Sequence, residues 1–359
     1  MTRIFNFCAG PATLPLPVLE KARDELLDFR GLGMSVMEIS HRSAAFDEVA
    51  QTSEACLRRL LSISEEYAVL FLAGGATTQF SQLPINLASP ERPGAYIVDG
   101  SWSKKAFATA QRMGLGKLAA SSEDAGFKSV PPENTWQIAD NSAYLHYVSN
   151  ETISGVQFQS TPETDLPLVA DMSSDILSRP LDVEKYAAIY AGAQKNIGQA
   201  GIALVIVRKD FLHDLPSDVP DMQSWKIQHQ QGSRLNTPPT YAWYIAGLVF
   251  EWIEAQGGVQ QMADLNQQKA DRLYQYLDQS AFYRNDIPVT YRSNMNIPFQ
   301  IVDDSLHGRF VAEAEAAGLS SLKGHRSVGG MRASIYNAMP IEGVEALVDF
   351  MIEFEKSAG

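Results

Sequence analysis

Residues 190–210 read YAGAQKNIGQAGIALVIVRKD, with one lysine, Lys195, set among glycine, alanine, glutamine and asparagine before an apolar run begins at Gly201. A lysine that serves solubility stands among other charges. This one has small neutral neighbours, which let backbone and ligand come close. The segments on either side, YAAIYAG and GIALVIV, have the apolar, β-branched character of buried strands, so Lys195 falls in the turn between two strands.

Working outward, the same alternation recurs upstream. YAVLFLAGGATTQF reads as strand, Gly-rich turn and helix, and AYIVDGSWSKKAFATAQRMG repeats that order. AYLHYVSNETISG is a strand ending in a polar turn, and LPLVADMSSDIL is another. Short apolar runs alternating with amphipathic ones are the pattern of βα units around a largely parallel sheet, which predicts the α/β class. Ahead of this core, LPVLEKARDELLDF and FDEVAQTSEACLRRLLS have helical spacing. After it, SDVPDMQSWKIQHQQGSRLNTPP reads as a long polar connection with prolines at both ends, a length that in a compact domain points to function. A long helical region then runs from Tyr241 to about Gln279, broken at Gly257–Gly258. MNIPFQIV, a helix near 306–317, MRASIY and IEGVEALVDFMIEFEK suggest a smaller α+β domain, with the boundary near residue 257.

Composition narrows the classes. Hydrophobic residues make up 45% and charged ones 20% of the 359, as in an ordinary globular protein. The formal charge of −13 argues against a nucleic-acid or anionic-membrane surface, while leaving room for a small basic pocket. Cys8 and Cys56 stand far apart without metal-like spacing, which suggests a reducing compartment and no metal site. The first residues lack the apolar core of a signal peptide, and YAWYIAGLVFEWIEA is interrupted by Glu251 and Glu254. The expectation is a cytoplasmic protein that does not engage a membrane.

The chemistry-bearing residues collect at the carboxyl ends of the predicted strands: Gly74 to Gln79, Trp102, Asn150 to Thr152, Asp171 and Lys195. In an open α/β sheet that is where ligands bind. Taken singly, GGATTQ is a tight turn, Asp171 a helix N-cap, Trp102 a core aromatic, Thr152 a turn residue and Lys195 a surface lysine. Taken together they are a set. Glycines and free N–H groups at a helix start attract phosphate, although GGATTQ has neither a dinucleotide nor a triphosphate fingerprint. A desolvated lysine has a depressed pKa and is a usable amine nucleophile. Aspartate, then lysine one βα step later, with a phosphate-cradling loop upstream, is what pyridoxal 5'-phosphate needs. The lysine supplies the Schiff base, the aspartate a partner for the ring nitrogen and the loop a seat for the phosphate.

FNFCAGPATLP, GLGMSVMEISHR, YAGAQKNIG, LNTPPTYAWY and KGHRSVGGMRASIYNAMP resemble the phosphoserine aminotransferase family, fold-type I enzymes of the class V aminotransferase group, over essentially the whole chain. The resemblance implies a large cofactor-binding domain over 16–256, a small C-terminal domain over 257–359 and an N-terminal segment, 1–15, that packs with the small domain. It implies transamination between O-phospho-L-serine and 3-phosphohydroxypyruvate, with glutamate and 2-oxoglutarate as the other pair, in serine biosynthesis. A pyridoxine-pathway substrate, 4-phosphohydroxy-threonine, comes with it. Catalysis falls to Lys195 and Asp171. The cofactor contacts implied are Ala76, Thr77 and Gln194 for the phosphate, Trp102 on the ring face and Thr152 at the ring hydroxyl. Asn236 and Thr237 would reach the phosphate from the other subunit of a homodimer with composite sites. His41, Arg42, His325, Arg326 and Arg332 are the substrate-binding set, with Arg332 on the α-carboxylate and the His-Arg pairs on the distal anion; arginine's planar fork suits such groups. Two departures stand out. Thr77 takes the place of an arginine found in some members, and Cys8-Ala9 the place of a serine pair. Rival readings are a small-substrate class V aminotransferase of the alanine or serine–glyoxylate type, which would not need both His-Arg pairs, and a cofactor-carrying protein without catalysis.

Overall fold

Buried apolar runs between Tyr67 and Arg208 assemble into a seven-stranded sheet in the computed structural model, which describes residues 3–358. The strands are β1 (Tyr67–Gly74), β2 (Gly94–Val98), β3 (Gly116–Ser121), β4 (Leu145–Val148), β5 (Leu168–Asp171), β6 (Ala188–Gly192) and β7 (Gly201–Arg208), in the spatial order β1-β7-β6-β5-β4-β2-β3. Every pairing is parallel except those of β7, which runs antiparallel to both β1 and β6. The cause is local. Residues 193–200 are too few for a crossover, which takes about a dozen residues or more, so the chain must turn straight back. Lys195 lies in that return.

Alternate residues of each strand feed two cores, as the period of two requires. Phe71, Ile97, Tyr147, Ala170, Ile189 and Leu204 face one, closed by the helices Ala44–Leu61 and Thr240–Ala255. Leu70, Tyr96, Tyr144, Val169, Tyr190 and Val205 face the other, closed by Ala76–Leu87, Ser101–Arg112 and Trp225. A third core surrounds a small antiparallel sheet of Tyr283–Arg284, Asn296–Ile301 and Met331–Ser334. The helix Gly258–Gln279 gives Met262 to the first core and Leu273 and Leu277 to the third. Phe5–Asn6 pairs in parallel with Leu319–Ser320, Phe7 is buried in the third core, and the Ala12 N–H reaches the Gln194 carbonyl at 2.9 Å.

Three local expectations need correction. The helix read over LPVLEKARDELLDF ends at Asp24, because Glu25 accepts from the Tyr244 hydroxyl at 2.5 Å and Phe29 turns in against the Tyr244 ring. β3 went unseen because it is an edge strand whose Lys117 and Leu118 are exposed, so it lacks apolar alternation. The polar connection before NTPP is not bare loop. Trp225–Gln230 is a short helix, its Trp225 fully buried and its first N–H bonded to Asn86 Oδ1 at 2.8 Å. Among the described residues no helix is long and apolar enough to cross a membrane.

Candidate active site

Because β1, β2, β4, β5 and β6 are parallel, their carboxyl ends lie on one rim, and the residues that follow them meet there. Lys195 is held on both sides. Asn196 next to it donates to the Ile176 carbonyl at 2.6 Å and accepts from the Asn337 N–H at 3.0 Å. Gly10 lies over it, so that a Cβ there would meet Lys195 Cγ at 3.5 Å. The Lys195 ammonium donates to Thr152 Oγ1 at 2.6 Å and stands 5.1 Å from the centroid of the Trp102 ring. Burial pushes the amine below the ordinary lysine value, against the opposing pull of the Asp171 and Glu151 carboxylates.

Asp171, the last residue of β5, is buried, and burial raises its carboxyl above the ordinary aspartate range while Lys195 pulls it back. One oxygen accepts from the Ser173 N–H at 2.9 Å and the Ser173 hydroxyl at 2.5 Å. That hydroxyl accepts in turn from the Gly192 N–H at 2.9 Å, tying the end of β6 to Asp171. Gly192 also clears the start of the helix Ala76–Leu87, since a Cβ there would come within 3.1 Å of the Ala76 nitrogen. That helix opens on Gly75 with no side-chain cap and no acid in its first turn, which leaves its first N–H groups free for an anion. Gly74 makes the turn with φ of 113°, where a Cβ would strike Thr78 Oγ1 at 2.5 Å. Thr77 is exposed and Ala76 half-buried at this N-terminus, and the Gln194 side chain packs against Gly10.

Trp102 sits in the first turn of the helix Ser101–Arg112, and a residue of the Asn150–Thr152 turn that had no role of its own in the sequence analysis sets its place. Glu151 is fully buried and accepts from the Trp102 N–H at 3.0 Å, the Ser103 N–H at 2.7 Å and the Ser103 hydroxyl at 2.8 Å. Burial raises its carboxyl and these bonds lower it. Asp99 nearby is buried with neither oxygen bonded among the described residues, and burial, reinforced by Glu151, keeps its carboxyl well above the ordinary range. The only sequence sign of Glu151 was its place inside the polar turn after β4.

On the far side stand cations. Arg332 Nη1 donates to the Thr152 carbonyl at 3.4 Å, and its Nε is buried without a partner. Burial lowers its pKa, and no carboxylate pairs with it among the described residues. His325 lies near Arg332, Arg326 and Lys105, whose charges add to burial in lowering its pKa. Arg326 is exposed. Lys105, one helical turn beyond Trp102, was also missed, since a lysine on an exposed helix face looks ordinary in the sequence.

The remaining expected residues make no hydrogen bond to this group within one chain. Arg234 donates to the His41 carbonyl at 3.2 Å and pairs with Asp47, and Asn236 and Thr237 follow it two and three residues on. Arg42, Asn236 and Thr237 are exposed, and His41 Nε2 is buried without a partner. None of the four touches Lys195 through a hydrogen bond.

Residues 4–347 match the family described as Aminotransferase class-V. The phosphoserine aminotransferase of Pseudomonas putida is 54% identical over 358 residues, covering 99% of each chain. The phosphoserine aminotransferase structure from Bacillus circulans subsp. alkalophilus superimposes with a TM-score of 0.97 at 46% identity, covering 99% of both chains. That of the enzyme from Trichomonas vaginalis with bound pyridoxal phosphate gives a TM-score of 0.93 at 41% identity, covering 98% of this chain and 100% of that one.

Proposed function

We propose that this chain, which belongs to the class-V aminotransferase family, is a cytoplasmic pyridoxal-phosphate-dependent enzyme of serine biosynthesis. It exchanges the amino group between O-phospho-L-serine and 2-oxoglutarate, giving 3-phosphohydroxypyruvate and glutamate, and it runs in both directions. The observation that carries the reading is the Lys195 amine, held against Thr152 and the Trp102 ring at the strand ends, with an unpaired arginine beside it.

The residues present fit the cofactor. The uncapped start of Ala76–Leu87 suits its phosphate, with Ala76, Thr77 and Gln194 as the holding residues. Asp171 is bonded through one oxygen to Ser173 and has the Tyr190 hydroxyl beside its carboxyl, and a buried carboxylate held in this way suits a protonated ring nitrogen. Thr152 serves the ring hydroxyl and Trp102 the ring face. When bound, pyridoxal phosphate supplies an electron-withdrawing ring that stabilises negative charge on the substrate carbon. Lys195 Nζ would take the proton from that carbon and deliver it to the carbon on the far side of the amino nitrogen, a task for which its lowered pKa suits it. Arg332 holds the α-carboxylate, and the Cys8–Gly10 stretch, fixed by the Tyr336 hydroxyl bonded to the Ala9 carbonyl at 2.7 Å, covers the site.

Two copies complete it. His41 and Arg42 follow a run of exposed apolar residues, Leu27, Leu32, Met34 and Met37, and Asn236 and Thr237 are exposed just beyond Arg234, which bonds the His41 carbonyl. An exposed apolar patch of this kind marks a protein interface. A symmetric partner lays the His41–Arg42 and Asn236–Thr237 group of one chain on the Lys195 group of the other.

The test is transamination of phosphoserine beside serine and alanine with 2-oxoglutarate as acceptor. Phosphoserine is the preferred substrate, and Lys195→Ala loses about a thousandfold or more in turnover. Equal activity on serine or alanine would move the reading to the small-substrate class, and inactivity on all three to a carrier of the cofactor.

A further inference from the structure

We infer that Lys105 is a specificity-determining residue that binds the distal phosphate of the substrate and selects it over a distal carboxylate. This rests on the reading above and adds a residue that neither the motifs nor the family resemblance brought forward. Lys105 stands on the exposed side of the helix Ser101–Arg112, one turn after Trp102, and its ammonium lies 4.2 Å from the centroid of the Trp102 indole. The same ring has the Lys195 ammonium at 5.1 Å. One indole thus joins the reacting amine to a second cation on the rim.

The neighbouring lysine shows the contrast. Lys104 pairs with Glu123 and has an ordinary surface role. Lys105 has no carboxylate partner among the described residues, and its charge acts on His325 together with those of Arg326 and Arg332. The three cations and the imidazole they hold neutral have no counter-ion among the described residues, and an arriving anion is drawn to them. A phosphate monoester carries about −1.5 to −2 charges at neutral pH and three acceptor oxygens, whereas a carboxylate carries one charge and two. Extra cations therefore act on the difference between phosphoserine and glutamate. A lysine is suited to this as a compact charge on a flexible stem, beside arginines that fix orientation. The indole holds the ammonium where it is until the substrate arrives, and charge–ring attraction of this kind is worth about 0.5–1 kcal/mol at an exposed site.

The test compares Lys105→Gln and Lys105→Arg with the parent holoenzyme, using initial rates on phosphoserine and on glutamate, and calorimetric titration with inorganic phosphate. Lys105→Gln is expected to raise the KM for phosphoserine about tenfold, with kcat within about twofold and the glutamate KM little changed, since one charge-assisted contact is lost. Phosphate binding weakens in parallel, and Lys105→Arg restores both. Equal rises in the two KM values would make Lys105 a general structural support and overturn the inference, as would an unchanged phosphoserine KM in Lys105→Gln. A parent that does not act on phosphoserine would instead remove the reading on which the inference rests.

Discussion

Around the Lys195 amine, burial and charge pull in opposite directions: burial lowers its pKa, while Asp171 and Glu151 raise it. Removing a raising charge must lower the value further. In the cofactor-free protein, Asp171→Asn should move the pH midpoint for modification of Lys195 by a neutral amine-directed reagent downward. An unchanged midpoint would mean that the two groups do not sense each other. Glu151 can be probed by a substitution of the same shape. Glu151→Gln leaves one amide oxygen where two carboxylate oxygens took three bonds, and sets an NH2 group against a backbone N–H. The expected result is a loss of about 1–3 kcal/mol in stability together with a loosened Trp102, read from denaturant melts and the near-ultraviolet dichroism of the indole. A full-strength indole signal would assign Trp102's placement to packing alone. At this scale the sequence was legible where a residue is odd for its surroundings. Lys195 among glycines and Asp171 after an apolar run are such cases, and the fold brings both to one rim. Glu151 and Lys105 were not legible, because a glutamate in a polar turn and a lysine on a helix face look ordinary until their partners are known.

Elements decide how closely the backbone can approach an anion. The N-terminus of Ala76–Leu87 and the end of β6 come so near that a Cβ at position 192 would press on the Ala76 nitrogen at 3.1 Å. Gly192→Ala places a methyl group at the Ala76 N–H and disturbs the Ser173 bond to the Gly192 N–H. Retention of pyridoxal phosphate should fall roughly tenfold in a cofactor titration, as one hydrogen bond to a charged group is lost. Unaltered retention would show that the phosphate does not use this N–H. The strands were legible because central parallel strands are apolar throughout. The antiparallel sense of β7 could have been deduced from the short return at 193–200. The early end of the helix at Asp24 could not, since it depends on Tyr244, far along the chain.

For the whole molecule, His41, Arg42, Asn236 and Thr237, none of them hydrogen-bonded to Lys195 within one chain, make two-fold pairing testable. Lys195→Ala and a double variant, Asn236→Ala with Thr237→Ala, should each be nearly inactive alone. After random subunit exchange half the dimers are mixed, and each has one intact site, so activity should return to about a quarter of the parent value. No recovery after proven exchange would place Asn236 and Thr237 in their own subunit's site.

The stretch from Phe5 to Ala12 has a consequence for how the protein is made. It leaves the ribosome ahead of the groups that bond its backbone, which belong to Gln194, Gly318, Ser320 and Tyr336, with Ser334 donating to the Phe7 carbonyl. Most of these are synthesised some three hundred residues later. Contacts so distant in sequence form late, after the chain between them has organised. The nascent seven-stranded sheet can therefore gather its strand ends while the cover over Lys195 is still absent. The growing chain offers an open site to free cofactor, and closure waits until the small antiparallel sheet exists.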